Sequence, residues 1–363
     1  MKIAIIGTRG IPNNYGGFEQ LAEYLSVGLC ERGHEVSVYN SSNHLFKENN
    51  FKGVNIIHCF DAENKIGTAG QFIYDLNCIL DSRNRNFDVI LQLGYTSSSV
   101  WSFLFPRHSK IVTNMDGLEW KRSKYSRLVK MFLRHAEKWA INTSDSIVAD
   151  SMGIQSYIKN YYQKNSVFIP YGATVFNTPD PKVIEKHELQ KHNYFLLIAR
   201  FEPENNIETI IKGYLKSSAK EPLVLIGSAQ NKFGRYIKST YNNPRIKFLG
   251  TIYDIDQLNN LRHYCKLYFH GHSVGGTNPS LLEAMASKSL ICAHKNEFNQ
   301  AVLNNDAVYF LDEDDITSII EVQLNIEQRE KNISKNLKKI ETIYTWKSVF
   351  DSYENLMLNV IQK

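Results

Sequence analysis

The sequence has few cysteines, no long apolar run and little net charge, and each absence excludes a class of protein. Its five cysteines lie far apart and form no C-x-x-C pair, so neither a disulfide framework nor a zinc ribbon is predicted, and a reduced, cytoplasmic compartment is expected. No stretch approaches the roughly 18 apolar residues of a membrane-spanning helix, and the apolar run at 3–6 is too short for a signal peptide. A formal charge of +5 is weak for a dedicated nucleic-acid binder, so no nucleic-acid partner is predicted.

Short apolar segments alternate with helical patterns in two successive series. At 363 residues and 43% hydrophobic, the chain has enough apolar material for two domains. Predicted strands lie at 3–7, 35–39, 54–60, 88–92, 110–114, 146–149 and 166–169 in the first series, and at 194–199, 222–226, 246–249, 266–270, 290–293 and 307–310 in the second. Such alternation predicts α/β domains with doubly wound parallel sheets.

The domain boundaries follow from a change in composition. Residues 172–188 contain two prolines and several turn residues without a period, which indicates a linker. We therefore predict a first Rossmann-like domain over 1–175 and a second over 190–335. The remaining residues, 336–363, are predicted to form helices that pack back on the first domain.

The loop after the first predicted strand, 7–19, is rich in glycine. It contains neither G-x-G-x-x-G nor G-K-[ST], which excludes a dinucleotide fingerprint and a P-loop. Gly16 and Gly17 open the next predicted helix, where backbone N–H groups and the helix dipole attract anions. An anion-binding loop is therefore predicted here, and a flexible turn is the alternative.

A second glycine-containing loop, within 270–286, joins a predicted strand to a predicted helix. Asn278 is expected to cap the helix and Pro279 to occupy its first position. The loop and first-turn N–H groups would then face an anion, with the helix dipole behind them. Glu283 lies about one turn further, and its carboxylate suits two hydroxyls of a ribose.

Histidine and aspartate pairs suggest metal ligands only weakly. His270 and His272 have no third ligand nearby, so hydrogen-bonded polar roles are favoured for them. The D-x-D strings at 254–256 and 312–314 begin predicted helices, where aspartate is favoured as a cap. No metal site is predicted.

Two further loops place charged side chains at the ends of predicted strands. The guanidinium of Arg200 suits a diphosphate through paired hydrogen bonds, and a surface ion pair with Glu202 or Glu204 is the alternative. Asp116 lies in the polar and aromatic loop 114–122. A role in a binding site and a role as a helix N-cap both stay open for it.

The predicted helix at 122–143 is amphipathic and has a basic stripe. At helical spacing, five basic side chains share one face and six apolar side chains take the opposite face. The basic residues are Lys124, Arg127, Lys130, Arg134 and Lys138. The apolar residues are Leu128, Val129, Phe132, Leu133, Ala136 and Trp139. A solvated face and a surface for anionic lipid headgroups or a lipid-diphosphate acceptor both fit this pattern.

Six strings in a fixed order carry a resemblance to a known family. They are GTRGIPNNYGGFE (7–19), NMDGLEWKR (114–122), ADSMGIQSYI (149–158), IPYGA (169–173), ARFEPENNIE (199–208) and HGHSVGGTNPSLLEAMA (270–286). Over nearly its whole length the chain resembles the family-4 retaining glycosyltransferases of the GT-B fold. It is most similar to a bacterial subgroup that includes rhamnosyltransferases of capsule and cell-wall polysaccharide synthesis. The resemblance implies two Rossmann-like domains facing across a cleft, with a nucleotide-sugar donor in the second and an acceptor in the first.

The resemblance also implies roles for single residues. Glu283 matches the second Glu of the family's E-x7-E motif, which holds the ribose. Arg200 matches the arginine that binds the diphosphate, and Gly16 and Gly17 match the glycine-rich loop near the sugar and phosphates. In the mechanism expected, a phosphate oxygen of the leaving group takes the acceptor proton, and Asp116 is the alternative base.

Two positions depart from the family pattern. Gly275 stands in place of the first Glu of E-x7-E, and Asn205 stands in place of a phosphate-binding Lys. We expect Arg9 to supply positive charge in compensation. The backbone amides expected to take over contacts to the donor sugar are those of Gly276, Thr277 and Asn278.

The function implied is retaining transfer of a hexose or deoxyhexose from a nucleoside diphosphate donor to a saccharide acceptor, without a divalent metal or other cofactor. The resemblance favours L-rhamnose from dTDP-rhamnose, a lipid-linked acceptor and bacterial surface polysaccharide synthesis. The expected location is the cytoplasm, and the basic stripe favours the inner face of the cell membrane. A GT-B sugar-nucleotide epimerase and a non-catalytic sugar-nucleotide-binding protein are the alternatives.

Overall fold

The computed structural model describes residues 1–115, 117–122, 125–322 and 325–362, which divide into two compact units. The first unit comprises residues 1–171 and the stretch from Trp346 onward, and the second comprises residues 172–345. Each unit holds a mostly parallel sheet with helices between successive strands.

The first unit is built on a sheet that is parallel except at one edge. Its strands are β1 (Lys2–Ile6), β2 (Glu35–Ser41), β3 (Asn50–Phe51), β4 (Val54–Cys59), β5 (Val89–Leu93), β6 (Lys110–Asn114), β7 (Ser146–Ala149) and β8 (Val167–Phe168). Its helices are α1 (Gly17–Glu31), α2 (Glu63–Ile66), α3 (Gly70–Ser82), α4 (Arg127–Thr143), α5 (Met152–Tyr162) and, late in the chain, α14 (Trp346–Ile361). The strand order is β3-β4-β2-β1-β5-β6-β7-β8, so the direction of winding reverses between β1 and β5.

The second unit contains a fully parallel sheet. Its strands are β9 (Phe195–Ile198), β10 (Leu223–Ile226), β11 (Ile246–Gly250), β12 (Leu267–His270), β13 (Ile291–His294) and β14 (Val308–Phe310). Its helices are α6 (Pro181–Glu185), α7 (Ile207–Lys216), α8 (Lys232–Thr240), α9 (Ile255–His263), α10 (Pro279–Ala286), α11 (Glu297–Leu303), α12 (Glu313–Glu321) and α13 (Ile326–Thr342). The strand order is β11-β10-β9-β12-β13-β14, and the winding reverses between β9 and β12.

The strands form because their short runs of branched and aromatic residues are buried on the sheet. In the second unit Phe195, Leu225 and Phe269 lie in one core with Ile210 and Ile211 of α7. Burying such side chains contributes about 1.5–3 kcal/mol each relative to exposure. The predicted strands therefore recur in the structure within a few residues.

The end of the chain differs from the sequence-based boundary at 336. Helix α13 belongs to the second unit, and α14 alone among the helices after 325 belongs to the first. The ring of Trp346 stacks on Tyr24 of α1 with centroids 4.3 Å apart, and Arg32 pairs with Asp351 and Glu354. The change of unit therefore falls in the break at 343–345, which interrupts the helical pattern.

Several local elements also differ from the sequence-based prediction. The two-residue strand β3 and the short helices α6 and α11 are too short to show a period in the sequence. Residues 98–104 form a 3-10 helix, and the helix predicted from 122 begins at Arg127. Ser126 accepts a hydrogen bond from the Val129 N–H, and this N-cap fixes the later start.

Candidate functional site

Two loops meet at the carboxyl ends of β9 and β12, where the strand order of the second sheet reverses. We call residues 199–206 and 271–278 the paired loops. Ser273 donates to the carbonyl oxygen of Glu204 from both its backbone N–H (3.0 Å) and its hydroxyl (2.7 Å). In open α/β sheets, ligands bind outside the carboxyl ends of the strands at such a reversal.

The paired loops approach each other too closely to admit a side chain at Gly271. A Cβ added there would lie 2.1 Å from the carbonyl oxygen of Asn205. The side-chain amide of Asn206 donates to the carbonyl oxygen of Gly271 at 2.7 Å. The two loops therefore hold one another in a fixed relative position.

Arg200 lies exposed in the first of the paired loops. Its carbonyl oxygen accepts from the side-chain amide of Asn205 at 2.7 Å and from the N–H of Glu202 at 2.8 Å. No carboxylate in the described part of the chain pairs with its guanidinium, so the alternative of a surface ion pair with Glu202 or Glu204 is wrong. Asn205, which is 5% exposed, holds this loop through its side chain, and its predicted contact with the donor stays a prediction.

The N-terminus of α10 adjoins the paired loops and has the predicted cap. The Asn278 side chain accepts from the Ser280 N–H at 2.9 Å, and Pro279 occupies the first turn. The sequence-based cap is therefore confirmed. The partial positive charge of a helix N-terminus favours an anion at this place.

The residues before this cap leave open space. Gly275 has a φ of +135°, and apart from its two chain neighbours no atom of the described residues lies within 4 Å of a Cβ added to it. Gly276 is half-buried and Thr277 is 3% exposed. The expected contacts of the backbone amides of Gly276, Thr277 and Asn278 with a sugar stay a prediction.

Glu283 lies in the second turn of α10 and forms a salt bridge with a buried arginine. Its Oε2 lies 2.6 Å from a terminal nitrogen of Arg262, whose side chain is 1% exposed against 17% for Glu283. Arg262 also donates to Ser280 Oγ at 3.2 Å and to Asn259 Oδ1 at 3.1 Å. The carboxylate is therefore held in place by Arg262 on its buried side, while part of the Glu283 side chain is exposed to solvent.

Arg262 was not predicted as a site residue from the sequence. It lies in α9, four residues after the buried Leu258, and thus on the apolar face of that helix. A charged residue on the apolar face of a helix is the sequence signal that points to Arg262. Its partner, 21 positions later in the sequence, is set by tertiary packing.

His270, at the end of β12, differs from the hydrogen-bonded role expected for it. Its ring is fully buried, and neither ring nitrogen has a hydrogen-bond partner among the described residues. The rings of His270 and His272 stack with centroids 4.4 Å apart. Burial, with the nearby His272 and Arg262, holds the pKa of His270 well below its usual range, so the ring is neutral at physiological pH.

The glycine-rich loop of the first unit lies at the corresponding reversal between β1 and β5. Gly7 has a φ of +85°, and a Cβ there would lie 2.3 Å from the carbonyl oxygen of Leu93. Gly16 occupies the N-cap of α1 in an extended conformation, and Gly17 is the first residue of that helix. The predicted helix start is confirmed, and anion binding by the loop stays a prediction.

Arg9, in the same loop, already has a carboxylate partner. It forms two hydrogen bonds to Glu63, at 2.9 Å and 2.7 Å, and its guanidinium lies 3.8 Å from the ring centroid of Tyr15. Burial raises the pKa of Glu63, but the hydrogen bonds from Arg9 outweigh it and leave that pKa below its usual value. The charge expected from Arg9 is thus balanced within the first unit.

Asp75 of α3 is a buried acid that the sequence did not single out. The Ser97 hydroxyl donates to its Oδ2 at 2.5 Å, and its side chain has no cation at hydrogen-bonding distance among the described residues. Burial raises the pKa of Asp75 to about 7. The first unit therefore contains a carboxyl group that titrates near neutral pH.

Helix α4 carries its basic residues on the surface, but its predicted apolar face is only partly buried. Arg127 and Lys138 are exposed, Lys130 is half-buried, and the Arg134 guanidinium lies 4.1 Å from the ring centroid of Trp120. Leu133 and Ala136 are buried as predicted, and Phe132 is half-buried. The prediction is wrong for three apolar residues that are exposed, namely Leu128 (74%), Val129 (39%) and Trp139 (41%).

Two predicted site residues, Asp116 and Lys124, lie outside the described residues. The roles of Asp116 as a base and of Lys124 in the basic stripe stay predictions.

The acidic strings have the predicted capping roles, since Asp254 accepts from two N–H groups of α9 and Asp312 accepts from two of α12.

Each unit of the chain is similar to a described family. Residues 180–340 match the family described as Glycosyl transferases group 1, and residues 1–174 match a domain of unknown function, DUF1972. Over residues 180–340 the second unit is therefore similar to group 1 glycosyl transferases. None of the curated proteins compared matches the sequence significantly.

Solved structures with this fold align over the whole chain. Sucrose-phosphate synthase from Thermosynechococcus elongatus has a TM-score of 0.83 at 14% identity, covering 99% of both chains. Anabaena HepE in complex with UDP-glucose has a TM-score of 0.75 at 15% identity, covering 99% of both chains. A UDP-forming α,α-trehalose-phosphate synthase from Burkholderia xenovorans, in complex with glucose-6-phosphate, has a TM-score of 0.75 at 10% identity, covering 99% of this chain and 100% of that one. The predicted fold, two Rossmann-like α/β domains of the GT-B type, is confirmed.

Proposed function

We propose that this protein transfers a sugar from a nucleoside diphosphate donor to a sugar hydroxyl. The observation that carries the proposal is the contact, at one strand reversal, between the loop that contains Arg200 and the loop that leads into α10, the helix that contains Glu283. The group 1 glycosyltransferase match of the same unit and the nucleotide-sugar complex of the structural neighbour HepE support it.

The chemistry proposed is departure of the diphosphate from the anomeric carbon. Negative charge develops on the leaving group, and fixed positive groups at that place lower the barrier. The Arg200 guanidinium donates paired hydrogen bonds to two phosphate oxygens, and the α10 N-terminus supplies backbone N–H groups. Glu283 accepts hydrogen bonds from the ribose hydroxyls and so fixes the nucleoside.

The finer features of the reaction are proposals that rest on the resemblance. The transfer retains the anomeric configuration, with the acceptor approaching the face that the diphosphate leaves. The positive groups named above act without a divalent metal, and Asp116 is the candidate base. Measurement of product stereochemistry by NMR and of turnover in excess EDTA tests these features.

The donor proposed is dTDP-L-rhamnose. Gly275 presents no carboxylate to a sugar and leaves open space, which suits a 6-deoxyhexose with few hydroxyls to satisfy. A thermal-shift screen of dTDP-rhamnose, UDP-glucose and GDP-mannose tests this, because a ligand that binds the native state raises its stability with concentration. The largest shift is expected for dTDP-rhamnose, and a larger shift for another donor would reassign the sugar.

Acceptor-dependent release of the nucleoside diphosphate tests the transferase proposal against its alternatives. A transferase releases free diphosphate in proportion to added acceptor, whereas an epimerase and a non-catalytic binding protein do not. The matched pair of variants is Arg200→Ala and Arg235→Ala, both exposed arginines of the second unit. Arg200→Ala is expected to lose most turnover, while Arg235→Ala keeps it.

We also propose that α4 docks the first unit on an anionic membrane surface that carries a lipid-linked acceptor. The helix presents exposed apolar side chains, Leu128 and Met131, together with exposed basic ones, Arg127 and Lys138. It contacts the 3-10 helix 98–104, whose Phe103 is 75% exposed. Amphipathic surfaces of this kind bind anionic lipid interfaces. Within the described residues, no helix has the length and hydropathy of a membrane span.

Vesicle binding tests this surface. The protein is expected to sediment with vesicles containing anionic lipid at low salt, less at high salt, and not with neutral vesicles. Leu128→Asp is expected to abolish the binding, while Leu311→Asp, at an exposed leucine of the second unit, preserves it. Equal binding to neutral and anionic vesicles would contradict the proposal.

A further inference from the structure

We propose that Arg262 is a positioning residue that fixes the carboxylate of Glu283 toward the ribose of the donor; this inference rests on the proposed function. Arg262 is 1% exposed and cannot be neutralised by deprotonation, so its charge requires a partner inside the protein. Glu283, at 2.6 Å, supplies that partner. A guanidinium stranded without a carboxylate in such a place strongly destabilises the fold.

Arg262 is itself anchored at several points. One terminal nitrogen donates to Ser280 Oγ at 3.2 Å and reaches Glu283, and the other donates to Asn259 Oδ1 at 3.1 Å. The Ser280 hydroxyl in turn lies 2.8 Å from the hydroxyl of Tyr268 on β12. The planar fork therefore joins the first two turns of α10 to α9 and to the sheet, which leaves the Glu283 carboxylate little freedom to rotate.

The Glu283 carboxylate therefore has two roles, an ion pair with Arg262 and hydrogen bonding to the ligand. Oε2 accepts from Arg262, and the carboxylate, whose side chain is 17% exposed, has several lone pairs that can accept from hydroxyls of a ligand. A carboxylate aligned before binding loses less conformational entropy when the ligand arrives. Arg262 thus raises affinity for the nucleoside without touching it.

Two substitutions at Arg262 separate the effect of carboxylate orientation on binding from the effect of the positive charge. Arg262→Lys keeps a positive charge near Glu283 but loses the fork, since an ammonium is a point charge. We expect nucleoside diphosphate binding about tenfold weaker than wild type, and a raised donor KM with kcat within about twofold. Arg262→Met removes the charge as well, and we expect weaker binding than in Arg262→Lys.

A double variant tests the ion pair without any ligand. Glu283→Gln leaves Arg262 without its partner and is expected to lower Tm by about 6 °C or more. Arg262→Met combined with Glu283→Gln is expected to recover most of that loss, yet to bind nucleoside diphosphate as poorly as Glu283→Gln alone. A double variant whose Tm falls by the sum of the single losses would overturn the ion pair.

Arg245 provides the matched control. Its guanidinium donates to backbone carbonyl oxygens of Leu215, Ser217 and Ala219 in the same unit. Arg245→Met is expected to lower Tm and to leave nucleotide affinity unchanged, which is the behaviour of a purely structural arginine.

The experiment is titration calorimetry of each variant with UDP, dTDP and GDP, beside thermal unfolding without ligand. Wild-type affinity in Arg262→Lys would overturn the inference while the proposed function stands. Binding of none of these nucleotides by the wild-type protein would overturn the proposed function itself, and the inference with it. Tenfold weaker binding in Arg262→Lys, with Arg245→Met unchanged, supports both.

Discussion

The backbones of Gly271 and Asn205 are in close contact. A Cβ added to the glycine would lie 2.1 Å from the asparagine carbonyl oxygen. The contact joins the loop that carries Arg200 to the loop that leads into α10. This close approach at Gly271 therefore helps to fix the position of the Arg200 loop relative to the N-terminus of α10.

Gly271→Ala is expected to force the paired loops apart and to weaken nucleoside diphosphate binding at least tenfold. Ser273→Ala, which removes one of two hydrogen bonds to the Glu204 carbonyl oxygen, is expected to show a smaller loss. Calorimetric titration with the nucleotide measures both. Unchanged affinity in Gly271→Ala would show that the loops do not need this contact.

Asn278→Ala is expected to cost about 1 kcal/mol of stability through the lost N-cap of α10, and also to weaken diphosphate binding. Asp312→Ala removes the equivalent cap of α12 in the same unit, so it provides the control. Chemical denaturation measures the stability of both variants, and calorimetry measures their binding. The two variants are expected to lose similar stability, and a binding loss of the same size in both would refute a specific role for α10.

Asp75→Asn is expected to remove a pH dependence of stability. The pKa of Asp75 is raised from 3.8 to about 7 by burial, so the folded protein binds a proton that the unfolded chain has released. Stability therefore falls as pH rises from about 4 to 7, by an upper bound of roughly 4 kcal/mol. Above pH 7 the stability that comes from protonation of Asp75 is fully lost.

Denaturation curves at pH 5 and pH 8 check this prediction. The stability of the variant relative to wild type is expected to be clearly greater at pH 8 than at pH 5. Ser97→Ala serves as a second variant, since it removes the hydroxyl that hydrogen-bonds the carboxyl group. An equal effect of Asp75→Asn at both pH values would contradict the titration.

Arg200→Ala is expected to lower kcat/KM by about two orders of magnitude, the usual loss when one charge-stabilising donor is removed. The guanidinium is exposed and unpaired among the described residues, so its removal should leave Tm nearly unchanged. Initial rates with donor and acceptor, beside thermal unfolding, give both quantities. A large fall in Tm would indicate a structural role.

The sequence predicts those parts of the site that are local along the chain. The cap formed by Asn278 and Pro279 depends on neighbouring residues alone, and so does the position of Arg200 after a strand. The order of short apolar strands likewise predicts two doubly wound sheets. These features need no knowledge of distant contacts.

The parts that were missed depend on distant contacts. The salt bridge of Arg262 and Glu283 joins two helices separated by β12, and the contact of Gly271 with Asn205 joins two loops separated by six elements of structure. Helical spacing placed Leu128 with Leu133 on one apolar face, yet packing covers Leu133 and leaves Leu128 exposed. Periodicity gives the direction of a side chain, and the neighbouring elements decide whether it is buried.

The most direct test of the proposed transferase is release of free nucleoside diphosphate, measured with and without a saccharide acceptor, for wild type, Arg200→Ala and Arg235→Ala. We expect release to rise with added acceptor in wild type and in Arg235→Ala, and to be about a hundredfold lower in Arg200→Ala. Release that is independent of acceptor, or equal in the two arginine variants, would contradict it.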